Sequence, residues 1–153
     1  MKRFFLFLLI FLIASEAKSQ TDLPICIQSD AMEAYQEENL IIFKGNVKVK
    51  RGEMVIYADL MRINYKQGQM GRRIERIEAE GNVRVVQGER EVIGEKAIFY
   101  KDTESIVLLG NPQVKDGRTV IKGGKITAYL EEDKTIIEGD EKEKVEAVIY
   151  PVK

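Results

Sequence analysis

The chain has 153 residues and a formal net charge of −1, with 24 Lys and Arg set against 25 Asp and Glu. It contains no histidine and a single cysteine. That balance lacks the basic excess of a nucleic-acid binder, excludes imidazole catalysis and histidine metal ligation, and allows no internal disulfide.

Met1-Lys2-Arg3 is a short basic region, and Phe4 to Ala14 is an unbroken apolar run of 11 residues. Ser15-Glu16-Ala17 and Ala17-Lys18-Ser19 then supply small-x-small sites. A spanning helix needs about 20 apolar residues, so the pattern predicts a signal peptide over residues 1–17, cleaved after Ala17 or Ser19, and export into an oxidising space. Leu23-Pro24-Ile25-Cys26 does not read as a lipidation site, because Ile25 is too large before such a cysteine. Cys26 reads as a small apolar residue in a first strand. One domain is expected over 25–151.

Beyond Gln20 helical periodicity is absent and alternation of period 2 prevails, which predicts an all-β fold. A repeat search resolves it into four copies of a two-strand unit. The first half of each copy runs Ile27-x-Ser29-Asp30-x-Met32-x-Ala34, then Ile56-x-Ala58-Asp59-x-Met61-x-Ile63. Val92-x-Gly94-Glu95-x-Ala97-x-Phe99 and Ile121-x-Gly123-Gly124-x-Ile126-x-Ala128 follow. The second half runs Ile41-x-Phe43-x-Gly45-Asn46-Val47-x-Val49 and Ile77-x-Ala79-x-Gly81-Asn82-Val83-x-Val85. Ile106-x-Leu108-x-Gly110-Asn111-Pro112-x-Val114 and a weaker Thr135-x-Ile137-x-Gly139-Asp140 complete the set.

In the first halves the apolar positions switch parity at the small-acidic pair. A parity switch in a pleated strand turns every later side chain to the other face unless a bulge restores it. Bulges or corners are therefore expected at Ser29-Asp30, Ala58-Asp59, Gly94-Glu95 and Gly123-Gly124, with the acid pointing to solvent. The second halves keep their parity and read as straight strands constricted at Gly45, Gly81, Gly110 and Gly139. Stacked corners fold the array into two facing antiparallel sheets around an apolar interior.

The groove candidates are Ile41, Phe43, Val47, Val49, Ile56, Met61, Ile63, Val83, Val85, Phe99, Leu108 and Ile126. The wider inward set adds Ile77, Val114, Ile121, Ala128 and Leu130. Lys44, Lys48, Arg84 and Lys115 alternate with these and should face solvent. Lys48-Val49-Lys50-Arg51 and Arg72-Arg73 read as solvated strand ends. At the chain ends, Ile25 and Ile27 form a short first strand and Val145, Ala147 and Ile149 an alternating last one. Charges, prolines or bulges usually blunt an edge; here Pro151 is placed only after the last strand, so both edges are candidates for strand addition.

Catalysis finds no support. Ser29 and Ser105 lack a base, and Cys26 lacks an activating histidine. Asp30, Asp59 and Glu95 recur as repeat positions, which argues for a structural role. No cofactor or metal is expected.

Several of these segments, taken in order, resemble the lipopolysaccharide-transport periplasmic proteins of the LptA/OstA type. They are Ile27-Gln28-Ser29-Asp30, Phe43-Lys44-Gly45-Asn46-Val47-Lys48-Val49 and Ile56-Tyr57-Ala58-Asp59-Leu60-Met61. Leu109-Gly110-Asn111-Pro112, Ile121-Lys122-Gly123-Gly124-Lys125-Ile126-Thr127 and Val145-x-Ala147-Val148-Ile149-Tyr150-Pro151 continue the series. Gly124, where other copies carry an acid, and Gly139-Asp140-Glu141, in place of Gly-Asn-Val, depart from the pattern. The resemblance implies a twisted β-jelly-roll, open at both ends, whose interior takes the acyl chains of lipopolysaccharide. It also implies head-to-tail stacking of protomers between an inner-membrane complex and an outer-membrane translocon. Two alternatives stay open: a membrane-tethered sister subunit of the same pathway, and a structural β-roll that stacks without a ligand.

Overall fold

Aliphatic and β-branched residues alternate with charged ones through most of the chain, which gives an extended strand one apolar and one solvated face. The computed structural model describes residues 24–150 apart from positions 70, 130 and 133. The expected signal segment with its cleavage sites, Leu130 and Pro151 lie outside the described residues. The strands are β1 (Cys26–Gln28), β2 (Ala31–Tyr35), β3 (Leu40–Arg51), β4 (Met54–Gly68), β5 (Gly71–Gln87) and β6 (Arg90–Tyr100). They continue with β7 (Ser105–Leu109), β8 (Gln113–Asp116), β9 (Thr119–Lys122), β10 (Lys125–Tyr129), β11 (Lys134–Glu138) and β12 (Glu146–Val148).

The architecture is all-β, as the repeat pattern predicts. The strands make a single 12-stranded antiparallel sheet, left unclosed, with β1 and β2 at one margin and β11 and β12 at the other. β3 to β6 are long and cross the whole sheet, whereas the later rungs are split into β7 with β8, β10 with β9, and β11 with β12. Each rung bends once, so the sheet folds into two halves that pack on each other.

The bend lies on the expected rungs, but its extra residue is on the other strand. Lys44 faces Leu60 and Val47 faces Ala58, so Gly45-Asn46 stands opposite Asp59 alone. Gly81-Asn82 likewise stands opposite Glu95 alone on β6, and toward β4 the three residues Gly81 to Val83 lie across from Ala58 and Asp59. The glycine–asparagine pairs are the bulges, and the expectation that these strands run straight is overturned. The reason is conformational. Gly45 and Asn46 have φ of 81° and 47°, Gly81 and Asn82 84° and 49°, and Gly110 and Asn111 79° and 53°. Glycine occupies this left-handed region freely and asparagine tolerates it, while other residues there are strained. The extra residue, absorbed in the corner, lets the Gly-Asn strand keep its parity. Its partner is one residue shorter across the same corner and shows the switch.

Two apolar clusters fill the fold. One joins Val47, Val49, Ala58 and Val83 from one half to Met61 and Ala79 from the other. The second joins Val85, Val92 and Val114 to Ile106, Leu108, Ile126 and Ala128. Both draw on both halves, so the fold closes on itself through packing between them.

Candidate functional site

The register aligns inward residues into ladders that cross the strands. One ladder passes from Ile27 through Val49, Ile56, Val85 and Val92, then through Val114 and Ile121 to Ala147. On the other half, Ile41, Ile63, Ile77, Phe99 and Ile106 stand side by side. Next to it runs the ladder Phe43, Met61, Ala79, Ala97, Leu108 and Ile126.

That last ladder explains where the interior is hollow. Ala79 on β5 faces Ala97 on β6, flanked by Met61 and Leu108. Two adjacent alanines leave the space that larger side chains occupy elsewhere in the ladder. A groove of about 560 Å³ lies there, lined by Ile56, Met61, Ile77, Ala79, Val83 and Val85 together with Ala97, Ile98, Phe99 and Ile106. Ile25, Ile74, Arg72, Arg73 and Lys101 complete its lining. The volume falls in the range of sites for drug-sized apolar ligands, roughly 300–1,000 Å³.

Of the groove candidates, Ile56, Met61, Val83, Val85 and Phe99 line this space. Ile41, Phe43 and Ile63 share its ladders but stand to one side of it, toward β2 and β3. Val47 and Val49 are buried in the first cluster, and Leu108 and Ile126 are packed into the second. These four are core residues outside the groove lining, whereas Met61, Val83 and Val85 belong to the same clusters and line the groove as well. Sequence reasoning missed Ala79 and Ala97 as groove-formers, although both sit at repeat positions; their small size was the signal. It also missed Ile74, Arg72, Arg73 and Lys101.

The outward residues make a charged surface. Lys44, Lys48, Arg84 and Lys115 point away from the interior, and Lys44 pairs with Glu33 at 3.0 Å. Glu78 is the exception to solvation on this face. Its side chain is only 10% exposed and is held by Arg76 at 3.0 Å, Lys96 at 3.2 Å and Arg62 at 3.5 Å. Burial opposes its charge, but the hydrogen bonds and charges of Lys96 and Arg76 outweigh it and hold the carboxyl below the ordinary glutamate value. Asp30, Asp59 and Glu95 are exposed at the corners. Among the described residues no group of His, Cys, Asp and Glu is arranged to hold a metal ion.

Both margins are apolar. Ile25 and Met32 are exposed beside β1 and on β2, and Ile136, Val145, Val148 and Ile149 are exposed at the β11–β12 margin. Ile27 pairs with Val49 and is half-buried, while Ala147 pairs with Ile121 and is exposed. The last strand covers Glu146–Val148, so Val145 and Ile149 flank it.

The family model described as LptA/(LptD N-terminal domain) LPS transport protein matches residues 26–134. The chain is 28% identical over 137 residues to the lipopolysaccharide export system protein LptA of Escherichia coli strain K12, covering 86% of this chain and 73% of that one. It is 30% identical over 141 residues to the LPS-assembly protein LptD of Sodalis glossinidius, a match that takes in 80% of this chain and 17% of that much longer protein. The fold matches the crystal structure of LptH, the LptA-homologous periplasmic component of the lipopolysaccharide transport device of Pseudomonas aeruginosa. The TM-score is 0.69 over 88% of this chain and 100% of that one, at 17% identity.

Proposed function

Because the chain belongs to the LptA/LptD N-terminal-domain family of lipopolysaccharide-transport proteins, we propose that it is a periplasmic bridge that shields lipopolysaccharide acyl chains and passes the lipid onward. Residues 1–17 act as its cleaved export signal in this reading. The donor is an inner-membrane complex and the acceptor an outer-membrane translocon, each joined by strand addition. The observation that carries the reading is the apolar groove between the sheet halves, hollow at the Ala79–Ala97 pair and unoccupied by side chains.

The physical chemistry supports passage better than storage. Each methylene of an acyl chain exposed to water costs about 0.8 kcal/mol, so a lipid with several chains needs a continuous apolar path. The groove walls are mostly apolar, and such walls bind without registering a chain at one position. The uncovered apolar margins suit head-to-tail pairing of the β11–β12 edge with the β1–β2 edge of a second copy. That pairing would join the grooves of successive protomers.

A photo-cross-linking scan tests the groove. A photoreactive residue at Phe43, Ile63 or Phe99 is expected to capture lipopolysaccharide, and one at outward Lys48 is not. Capture from Lys48 alone would refute the inward path. Intact mass of the exported protein tests the signal: retention of Phe4 to Ala14 would favour the membrane-tethered sister subunit.

A further inference from the structure

The β4–β5 hairpin is longer than its neighbours. β3 meets β4 only as far as Leu40 opposite Asn64, and β6 meets β5 only as far as Tyr100 opposite Arg76. Past Tyr65 and Glu75, each tied to a neighbouring loop by one backbone hydrogen bond, Lys66–Gly68 and Gly71–Ile74 pair only with each other. The hairpin therefore overhangs the groove mouth by roughly 10 Å, at about 3.4 Å per strand residue.

The inner face of this overhang changes chemistry along its length. The register shifts at Glu75, since Asn64 faces Arg76 while Tyr65 faces Ile74. The shift puts Ile74 on the same face as Ile77, and Arg72, two residues on, shares that face. The wall thus runs from Ile77 to Ile74 to Arg72, apolar and then cationic. The Arg72 guanidinium lies 4.9 Å over the Tyr65 ring, which holds it toward the mouth. Lys101 lines the same space and Arg73 borders it at the rim, its side chain leaving the strand on the other face beside Gly68; Lys101 also pairs with Glu104 at 2.7 Å. Among the described residues no carboxylate pairs with Arg72 or Arg73. Ile74 is 45% exposed beside them. A pair of uncompensated arginines next to a bare isoleucine matches one kind of ligand: an aliphatic chain ending near a phosphate. Guanidinium forks bind phosphate oxygens in pairs and keep their charge at any physiological pH.

We propose that the overhanging hairpin is a phosphate-recognition rim, in which Arg72 and Arg73, with Lys101 beside them, hold the phosphate of a lipid whose acyl chains lie against Ile74 and Ile77. This rests on the lipid-groove reading and adds the headgroup contact to it. The Arg72-Arg73 cluster is then a ligand contact in place of the solvated strand end that the sequence suggests. A phosphate could also arrive free in solution, but it would leave Ile74 uncovered.

The test titrates the purified exported protein with three probes: bisphosphorylated lipid A, lipid A of the same acyl composition stripped of phosphate, and inorganic phosphate. The wild-type protein is expected to bind the bisphosphorylated lipid at least about tenfold more tightly than the stripped one, as loss of paired charge-assisted contacts implies. Arg72→Gln/Arg73→Gln should erase that preference, bringing the bisphosphorylated lipid down to the affinity of the stripped one, with an unchanged melting profile. Arg72→Lys/Arg73→Lys should retain most of it. A double variant that keeps the full preference overturns the rim. Inorganic phosphate that binds the arginines as tightly as the lipid does overturns the lipid as its source. Failure of both lipids to bind the wild-type protein overturns the groove reading itself, and is told apart because the stripped lipid is lost too.

Discussion

The side-chain amide of Asn82 donates to Asp59 Oδ2 over 2.9 Å, across the corner where β4 and β5 bend together. Asn46 donates to Asp30 in the same way at 2.9 Å. Each bond ties the acid of one strand to the bulge of the next, so the repeated acid and the repeated asparagine form one device. Asn82→Ala loses both the bond and a residue suited to φ of 49°. It should lower stability by about 1–2 kcal/mol in urea denaturation. Asn82→Gly keeps the backbone and should recover part of that loss; equal stability of all three proteins would remove the corner from the account.

Gly81 lies directly beneath Asp59, and a Cβ there would meet the carboxylate. Gly88 also has positive φ, at 61°, but a Cβ on it meets nothing within 4 Å. Gly81→Ala therefore combines left-handed strain with a clash, while Gly88→Ala carries the strain alone, about 1 kcal/mol. The expected ranking in chemical denaturation is Gly81→Ala well below Gly88→Ala, with a separation of about 1 kcal/mol or more.

Glu78 makes the fold sensitive to acid. Its folded-state pKa lies below the ordinary value, so its contribution is complete above the unfolded glutamate pKa of about 4.3 and is lost as pH falls through the lower folded value. Glu78→Gln should cost about 2 kcal/mol at neutral pH, and the gap from wild type should narrow below about pH 4. A gap that stays constant across that window would show that the surrounding cations do not act through its charge.

Ala97 and Leu108 are neighbours in one ladder with opposite expected roles. Ala97→Phe fills the hollow and should weaken lipopolysaccharide binding at least about tenfold while leaving the melting temperature near wild type. Leu108→Ala, at a site 2% exposed, should cost about 3 kcal/mol of stability with lipid binding retained at low temperature. Melting curves and a fluorescent-lipid displacement assay separate the two.

The margins are tested by charge. Met32→Lys on β2 and Val148→Lys on β12 alter exposed side chains, so the protomer should fold as before. Light scattering at rising concentration should show head-to-tail association reduced by either change. Association unaffected by both would move the contact elsewhere.

Alternation and repetition were legible in the chain itself. A strand's facing follows from local parity, so Val49, Ile56, Val85 and Leu108 could be placed inward without any partner. The acid positions could likewise be aligned as equivalent corners and the Gly-Asn positions as equivalent repeats. Exposed apolar ends such as Val145 and Ile149 were legible for the same reason. Three features waited on the tertiary structure. Parity places a bulge somewhere on a rung but cannot say which of two strands holds the extra residue; that is a matter of φ at Gly81 and Asn82 against Asp59. The hollow at Ala79 and Ala97 depends on which residues face each other across β5 and β6. The overhang that brings Arg72 into line with Ile74 depends on where β3 and β6 stop. All three are set by register between strands, and register is a property of the paired strands, which the residues of either one alone do not contain.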